Sequence, residues 1–230
     1  MSKCDLSIIV PVFNEEKYII KCLLKLYKIK KKYTEIIVVN DGSDDQTNYL
    51  LKKNDHLHDI YISYTKNKGK GFAVREGLKK ARGDITIIHD GDLEYDPKDI
   101  FKIFEYMKVN KLDAVYGSRL INFKKNNFIS KKQIFSNIGL TKFSNFLNNQ
   151  KLTDAHTCYK ALRTNIFKKL NLTSKGFELC VEINTKLSLN KILIKELPIN
   201  FAGRSIDQGK KIRFLDGIKA IYTILKIKLK

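Results

Sequence analysis

The chain has 230 residues, 43% of them apolar, and a formal net charge of +20. That length suits one α/β domain with a sizeable core, and the charge calls for an anionic partner: nucleic acid, a phosphorylated substrate or an acidic membrane surface. Four scattered cysteines, Cys4, Cys22, Cys158 and Cys180, indicate neither a zinc site nor a disulfide framework and fit reduced thiols in the cytoplasm.

The opening MSKCDLSIIVPVF holds too short an apolar run, broken by Pro11, for a signal peptide. No segment reaches the ~18 uninterrupted apolar residues of a membrane span. In chain order, residues 6–12 read as a buried strand. Residues 15–32 read as an amphipathic helix with Asn14 as its cap. A second strand (35–40) leads to a helix over 43–53 capped by Ser43. A third strand (59–64) leads to a helix over 71–82. A fourth strand (84–90), a helix (97–110) with Pro97 in its first turn, and a fifth strand (112–118) follow. The second half is less regular. It has a basic loop (124–132), a helix (133–147), mixed loop and strand signals (152–163), a helix (178–189), a strand (192–201) and a C-terminal helical pattern of apolar residues and lysines.

Strand–helix alternation of this kind predicts βαβ units and a largely parallel sheet, with ligands bound beyond the carboxyl ends of the strands. Asn14, Glu15, Asn40, Asp41, Asp90, Asp92, Ser118 and Arg119 all follow such ends and are expected to converge on one edge. The stretch DGDLEYDP adds weight. Asp90 and Asp92 can place two carboxylates around one Mg2+ or Mn2+ ion, and Gly91 between them lets the backbone approach closely. A calcium loop is excluded, because its sixth position would need glycine and holds Tyr95. Glu94 and Asp96 equally suit the start of the following helix. The glycines of NKGKGFAVREG fit no nucleotide-binding fingerprint, and the turn suits either a backbone anion site or plain tight packing. His56 and His58 lack further ligands and read as surface residues. His89 reads as a core histidine, and His156 stays open.

One ordered set of motifs then stands out: PVFNE (11–15), VNDGSDDQT (39–47), NKGKGFAVREGLKKARGD (67–84), DGDLEYDP (90–97), GSR (117–119), LTDAHTCYKALR (152–163), GFELCVEI (176–183), ELPINF (196–201) and RSIDQGKKI (204–212). It resembles family-2 glycosyltransferases, in the branch of dolichyl- and polyprenyl-phosphate sugar synthases. The likeness covers nearly the whole chain. It implies a GT-A fold, with a mostly parallel central sheet flanked by helices in one domain. The nucleotide-sugar half would span about 1–118 and the acceptor half about 119–230.

The resemblance also implies roles. Pro11, Val12, Asn14 and Glu15 would line the nucleoside pocket, and Asn40 and Asp41 would meet the base and ribose. Lys70 and Gly71 would lie near the donor. Asp90 and Asp92, flanking Gly91, would hold the metal and the donor diphosphate, with Glu94 as a further ligand. Arg119 and Arg204 would contact phosphates, Asp154 would stand near the acceptor, and Lys210 and Lys211 would lie in the segment after Arg204. Many relatives carry Asp where this chain has Asn40. An amide can accept from uracil N3–H and donate to O4, which favours a UDP-sugar over GDP-mannose.

The expected reaction is an inverting transfer. A lipid-phosphate acceptor needs no strong base. A saccharide hydroxyl, as in cell-surface polysaccharide synthesis, would make Asp154 the general base, a contribution of ~10²–10⁴ in rate. Two rivals rank lower. A nucleic-acid-binding module would want exposed aromatics on a basic stripe. A sugar nucleotidyltransferase would want a Gly-rich loop where PVFNEE stands. The protein is expected to be cytoplasmic, peripheral at the inner face of the membrane, with the C-terminal segment 214–230 either lying on anionic lipid or packing on the core.

Overall fold

The computed structural model describes residues 4–126, 131–204 and 214–229. The chain runs β1 (Leu6–Val12), α1 (Ile19–Ile29), β2 (Thr34–Asp41), α2 (Thr47–Lys53), β3 (Ile60–Tyr64), α3 (Lys70–Lys80), β4 (Ile85–Ile88) and α4 (Lys98–Val109). It continues β5 (Ala114–Ser118), α5 (Lys131–Asn148), β6 (Lys160–Arg163), α6 (Thr164–Lys169), α7 (Leu179–Leu189), β7 (Ile194–Pro198) and α8 (Phe214–Lys228).

The seven strands form one sheet in the order β3-β2-β1-β4-β6-β5-β7. All neighbours are parallel except β6, which runs antiparallel to both β4 and β5. Every residue of β1, β2, β4 and β5 is buried, as strands covered on both faces require. Two polar residues there are paired with each other: Ser7 donates to Glu35 at 2.6 Å, and the Arg82 Nε donates to the other Glu35 oxygen at 2.8 Å. In α1, Ile19, Cys22, Leu23 and Leu26 turn inward, one apolar stripe at helical spacing.

Three local readings change. Helix α1 starts at Ile19, and Asn14 adopts φ 50° instead of capping it. The Asn14 amide bonds Asp44 twice, at 2.6 and 3.0 Å, while its backbone N–H donates to Ser43 at 3.0 Å. The two expected caps therefore tie the exits of β1 and β2 together. Second, α6 has six residues, too few for a helical period to register in sequence. Third, the glycines of NKGKG serve close packing. A Cβ at Gly69 would strike the Lys175 carbonyl, one at Gly71 the Ser174 carbonyl, and Phe72 N–H donates to Lys175 O at 3.1 Å.

Helix α8 has two apolar faces. Ala220 and Ile224 are buried against Val181, Phe143 and Leu147 of the neighbouring α7 and α5. Ile218, Tyr222, Leu225 and Leu229 stand on the other side, exposed at spacings of four, three and four residues. No helix among the described residues is long and apolar enough to cross a membrane.

Candidate active site

A cleft of ≈ 660 Å³ opens at the carboxyl ends of the parallel strands. Pro11, Val12, Asn14 and Glu15 reach it from the exit of β1, Asp41 from the end of β2 and Lys70 from the start of α3. Asp90, Gly91, Asp92 and Glu94 come from the loop after β4. Arg119 and Arg204 come from the segments after β5 and β7. Gly91 is needed here, since a Cβ would strike the Val12 side chain. Lys210 and Lys211 lie outside the described residues.

The two aspartates are held apart by different cations. Lys70 Nζ lies 2.5 Å from Asp90 Oδ1. Arg204 bonds Glu15 at 2.9 and 3.2 Å and Asp92 at 2.9 Å, and its backbone N–H donates to Glu94 at 2.7 Å. Burial works to raise the Asp90 pKa, but the Lys70 ammonium outweighs it and the pKa is lowered. Asp92 goes the other way. Burial, then the Asp90 and Glu94 charges, push it up to about 7 against the opposing pull of Arg204.

Hard carboxylate oxygens of this kind suit Mg2+ or Mn2+, and the two cations stand where a divalent charge would act. Among the described residues no three His, Cys, Asp or Glu side chains converge on one metal position. The residues present thus fit an ion that draws further ligands from a bound diphosphate, not a closed protein cage.

Arg119 is held differently. Its Nε and Nη2 donate to Asp154 at 2.6 and 2.8 Å, and its backbone N–H adds a third bond at 3.1 Å. Asn137 donates to the same carboxylate at 3.2 Å. Asp154 is 0% exposed and does not line the cleft. Burial would raise its pKa, but Arg119 beside it lowers it further. Its oxygens face Arg119 and Asn137 instead of the cleft.

Asn40 also departs from its expected place. It is 1% exposed, and its amide is spent internally. It donates to Tyr61 and Ser63 at 3.4 and 3.2 Å and accepts from the Ser43 hydroxyl at 2.5 Å. With both ends of the amide bonded to Tyr61, Ser63 and Ser43, Asn40 does not present the base-reading edge expected of it. Asp41 does reach the cleft, accepting Lys68 N–H and Gly69 N–H at 3.1 and 2.6 Å, and burial raises its pKa. His89 is a core residue bonded to Tyr159 at 2.9 Å, with burial lowering its pKa to about 4. His56 packs edge-on against Tyr27, and His58 stacks on Tyr61.

Sequence reasoning passed over the residues behind the Arg119–Asp154 pair. Glu196 accepts Thr153 N–H at 2.7 Å and Asp154 N–H at 3.0 Å. Lys160, 0% exposed, donates to Ala155 O at 3.0 Å and Asn184 at 3.1 Å and sits 3.8 Å from the Tyr116 ring centre. Both fix the turn that carries Asp154. Glu196 could have been found from its place in ELPINF, whereas a lone buried lysine leaves no signal in sequence.

The fold has solved counterparts. Glucosyl-3-phosphoglycerate synthase from Mycobacterium tuberculosis, in complex with Mn2+, UDP and glucosyl-3-phosphoglycerate, aligns with a TM-score of 0.69 at 18% identity, over 97% of this chain and 79% of that one. The mannosyltransferase PcManGT from Pyrobaculum calidifontis, in complex with GDP-Man and Mn2+, aligns with a TM-score of 0.63 at 17% identity, over 87% and 57%. Both are GT-A glycosyltransferases, and the likeness establishes that fold here. In sequence, the UDP-N-acetylglucosamine–dolichyl-phosphate N-acetylglucosaminyltransferase of Methanococcus voltae is 30% identical over 96% of this chain and 95% of its own length. The dolichol-phosphate mannosyltransferase of Pyrococcus furiosus is also 30% identical, over 96% of this chain and 63% of its own length. The profile described as Glycosyl transferase family 2 matches residues 7–171, from β1 through α6 and so across both the aspartate loop and the Arg119–Asp154 pair. With the motifs, the sheet order and these likenesses in agreement, the chain belongs to glycosyl transferase family 2 and is a glycosyltransferase.

Proposed function

We propose that the enzyme moves a sugar, with inversion, from a nucleoside-diphosphate donor to a polyprenyl phosphate. One observation carries the reading: a single cleft combines two metal-suited aspartates with two arginines, while Asp154, the base that a saccharide acceptor would require, is turned away into Arg119. A phosphate acceptor arrives already ionised and needs no proton removed. A saccharide hydroxyl would need a base that Asp154 is not placed to supply.

Residues 1–118 would bind the donor and residues 119–230 the acceptor. Mg2+ or Mn2+ held by Asp90 and Asp92 would supply positive charge against the departing diphosphate. Lys70 keeps Asp90 ionised, and Arg119, fixed by Asp154, presents a permanent charge to a phosphate. Arg204 supplies a second charge from the opposite wall. A UDP-sugar donor is the narrower proposal. It rests on the 30% identity to a relative named for UDP-N-acetylglucosamine, not on Asn40.

The exposed stripe Ile218, Tyr222, Leu225 and Leu229, beside Lys219 and Lys226, suits the surface of an anionic bilayer, where a lipid acceptor would be met. The deciding experiment screens UDP- and GDP-sugars for released nucleoside diphosphate with and without undecaprenyl phosphate, plus a chelator control. Release that is indifferent to the lipid, or that survives chelation, sinks the reading. Liposome co-sedimentation at low salt, abolished by Tyr222→Glu with Leu225→Glu, tests the docking face.

A further inference from the structure

We infer that Asn126 is a positioning residue that clasps the Arg119 loop to the segment leading to Arg204 and so sets both guanidiniums for one acceptor phosphate. The inference rests on the reaction proposed above. Asn126 ends a short 3-10 turn, Phe123–Lys125, seven residues after Arg119. Its Nδ2 donates to Arg119 O at 2.8 Å and to Ile199 O at 3.0 Å, while its Oδ1 accepts Phe201 N–H at 2.8 Å. A primary amide offers two N–H donors and one carbonyl, and all are engaged. No motif in the sequence points to this residue.

The bonds close a ring of contacts around Arg119. Asn126 holds its carbonyl and also the backbone of Phe201, and the Phe201 ring lies 5.1 Å from the Arg119 guanidinium. Asp154 grips that guanidinium independently. Beyond Phe201 the chain stays fastened to the aspartate loop, with Ala202 N–H donating to Glu94 O at 2.8 Å and Arg204 N–H to Glu94 Oε1 at 2.7 Å. Asn126 is thus the joint through which the two arginine-bearing segments share one frame. Shifts of about 1 Å in such a frame can cost of order 10² in rate. The donor side has its own bonds, Lys70 on Asp90 and the Asn14–Asp44 pair, and the Arg204 side chain keeps its separate grip on Glu15 and Asp92, so loosening the clasp is expected to leave donor binding intact.

The test compares wild type with Asn126→Ala and Asn126→Asp. The aspartate is nearly isosteric but turns a donor toward two carbonyls into an acceptor. In Asn126→Ala the KM for undecaprenyl phosphate is expected to rise at least tenfold, with the Kd for UDP in Mn2+ within twofold of wild type and Tm nearly unchanged. Asn126→Asp should show a larger rise. Direct titration with dodecyl phosphate in the presence of UDP and Mn2+ should show the same tenfold weakening. An unchanged acceptor KM, or equal weakening of UDP and acceptor, overturns the inference. If wild type transfers to no prenyl phosphate yet binds dodecyl phosphate more tightly than Asn126→Ala, the proposed reaction fails and the clasp stands. Equal dodecyl phosphate affinity in wild type and variant overturns the clasp.

Discussion

Arg119 and Arg204 border the same cleft but live in opposite surroundings. Arg119 is buried on one fully buried carboxylate, bidentate, with that carboxylate engaged only by its own supports. Arg204 spreads over Glu15, Asp92 and Glu94, side chains that are themselves on the cleft wall. Burial works against both guanidinium charges, and in both cases the neighbouring carboxylates outweigh it and raise the pKa. The contrast lies in what the partners are for. Asp154 lies off the cleft wall, so Arg119 is a fixed charge. In the proposed reaction the partners of Arg204 would be wanted by a metal ion and a donor, which would make Arg204 an exchangeable one.

Breaking the fixed pair should have the largest effect. Asp154→Ala strands a buried guanidinium and is expected to lose ~3–5 kcal/mol of stability, read from urea denaturation. That is a large share of a typical domain's total. The double variant Asp154→Leu with Arg119→Met should recover most of the stability and none of the transfer. Recovery of transfer would show that the charge at Arg119 is dispensable. Asp92→Asn should reverse the pattern. Burial and two neighbouring carboxylates already disfavour its ionised form, so the amide should leave Tm unchanged or higher at pH 8. Sugar transfer should fall on the order of 10²–10³. A drop in Tm without that loss would remove Asp92 from the chemistry.

These regions were unequally legible. The strands β1 to β5 and the carboxylates after them follow from apolar runs that end in polar residues, a local signal, and the sheet placed them on one edge as expected. The antiparallel β6 escaped because nothing in TCYKALR records the direction of its partner. Asn40 and Asp154 were read by motif position, and what decided their geometry was tertiary: Tyr61 and Ser63 from β3 in one case, Arg119 across 35 residues in the other. Asn126 and Lys160 were invisible for the same reason, since each acts only through chain brought to it by the fold.

Removing the exchangeable charge gives a smaller and opposite result. Without Arg204 the carboxylates it neutralises are left more negative, and Arg204→Gln should bind Mn2+ about tenfold more tightly in the absence of donor, roughly 1.4 kcal/mol. Titration calorimetry measures this directly. Arg119→Gln should leave Mn2+ affinity unaltered, because its guanidinium bonds Asp154, whereas Arg204 holds Glu15, Asp92 and Glu94. Equal effects from both substitutions would erase the distinction between the two arginines.

The smallest effect is expected behind Arg119, at Lys160. Burial lowers its pKa from 10.5 to about 8, and its ammonium bonds Ala155 O and Asn184, with no carboxylate among its bonded partners in the described residues. In Lys160→Met the neighbours keep partners, since Ala155 O still receives Asn184 Nδ2 at 2.9 Å and Asn184 Oδ1 still receives the Tyr116 hydroxyl at 2.9 Å. The variant should be neutral or about 1 kcal/mol more stable at pH 7. Below pH 8 wild type holds the proton in both states and carries the full burial cost. Between pH 8 and 10.5 only the unfolded chain holds it, so wild-type stability rises with pH relative to the variant. The gap in Tm between the two should therefore shift in favour of wild type across that window. A gap that stays constant would mean that Lys160 is not buried as a cation, and that the turn carrying Asp154 is held by Glu196 and Asn184 alone.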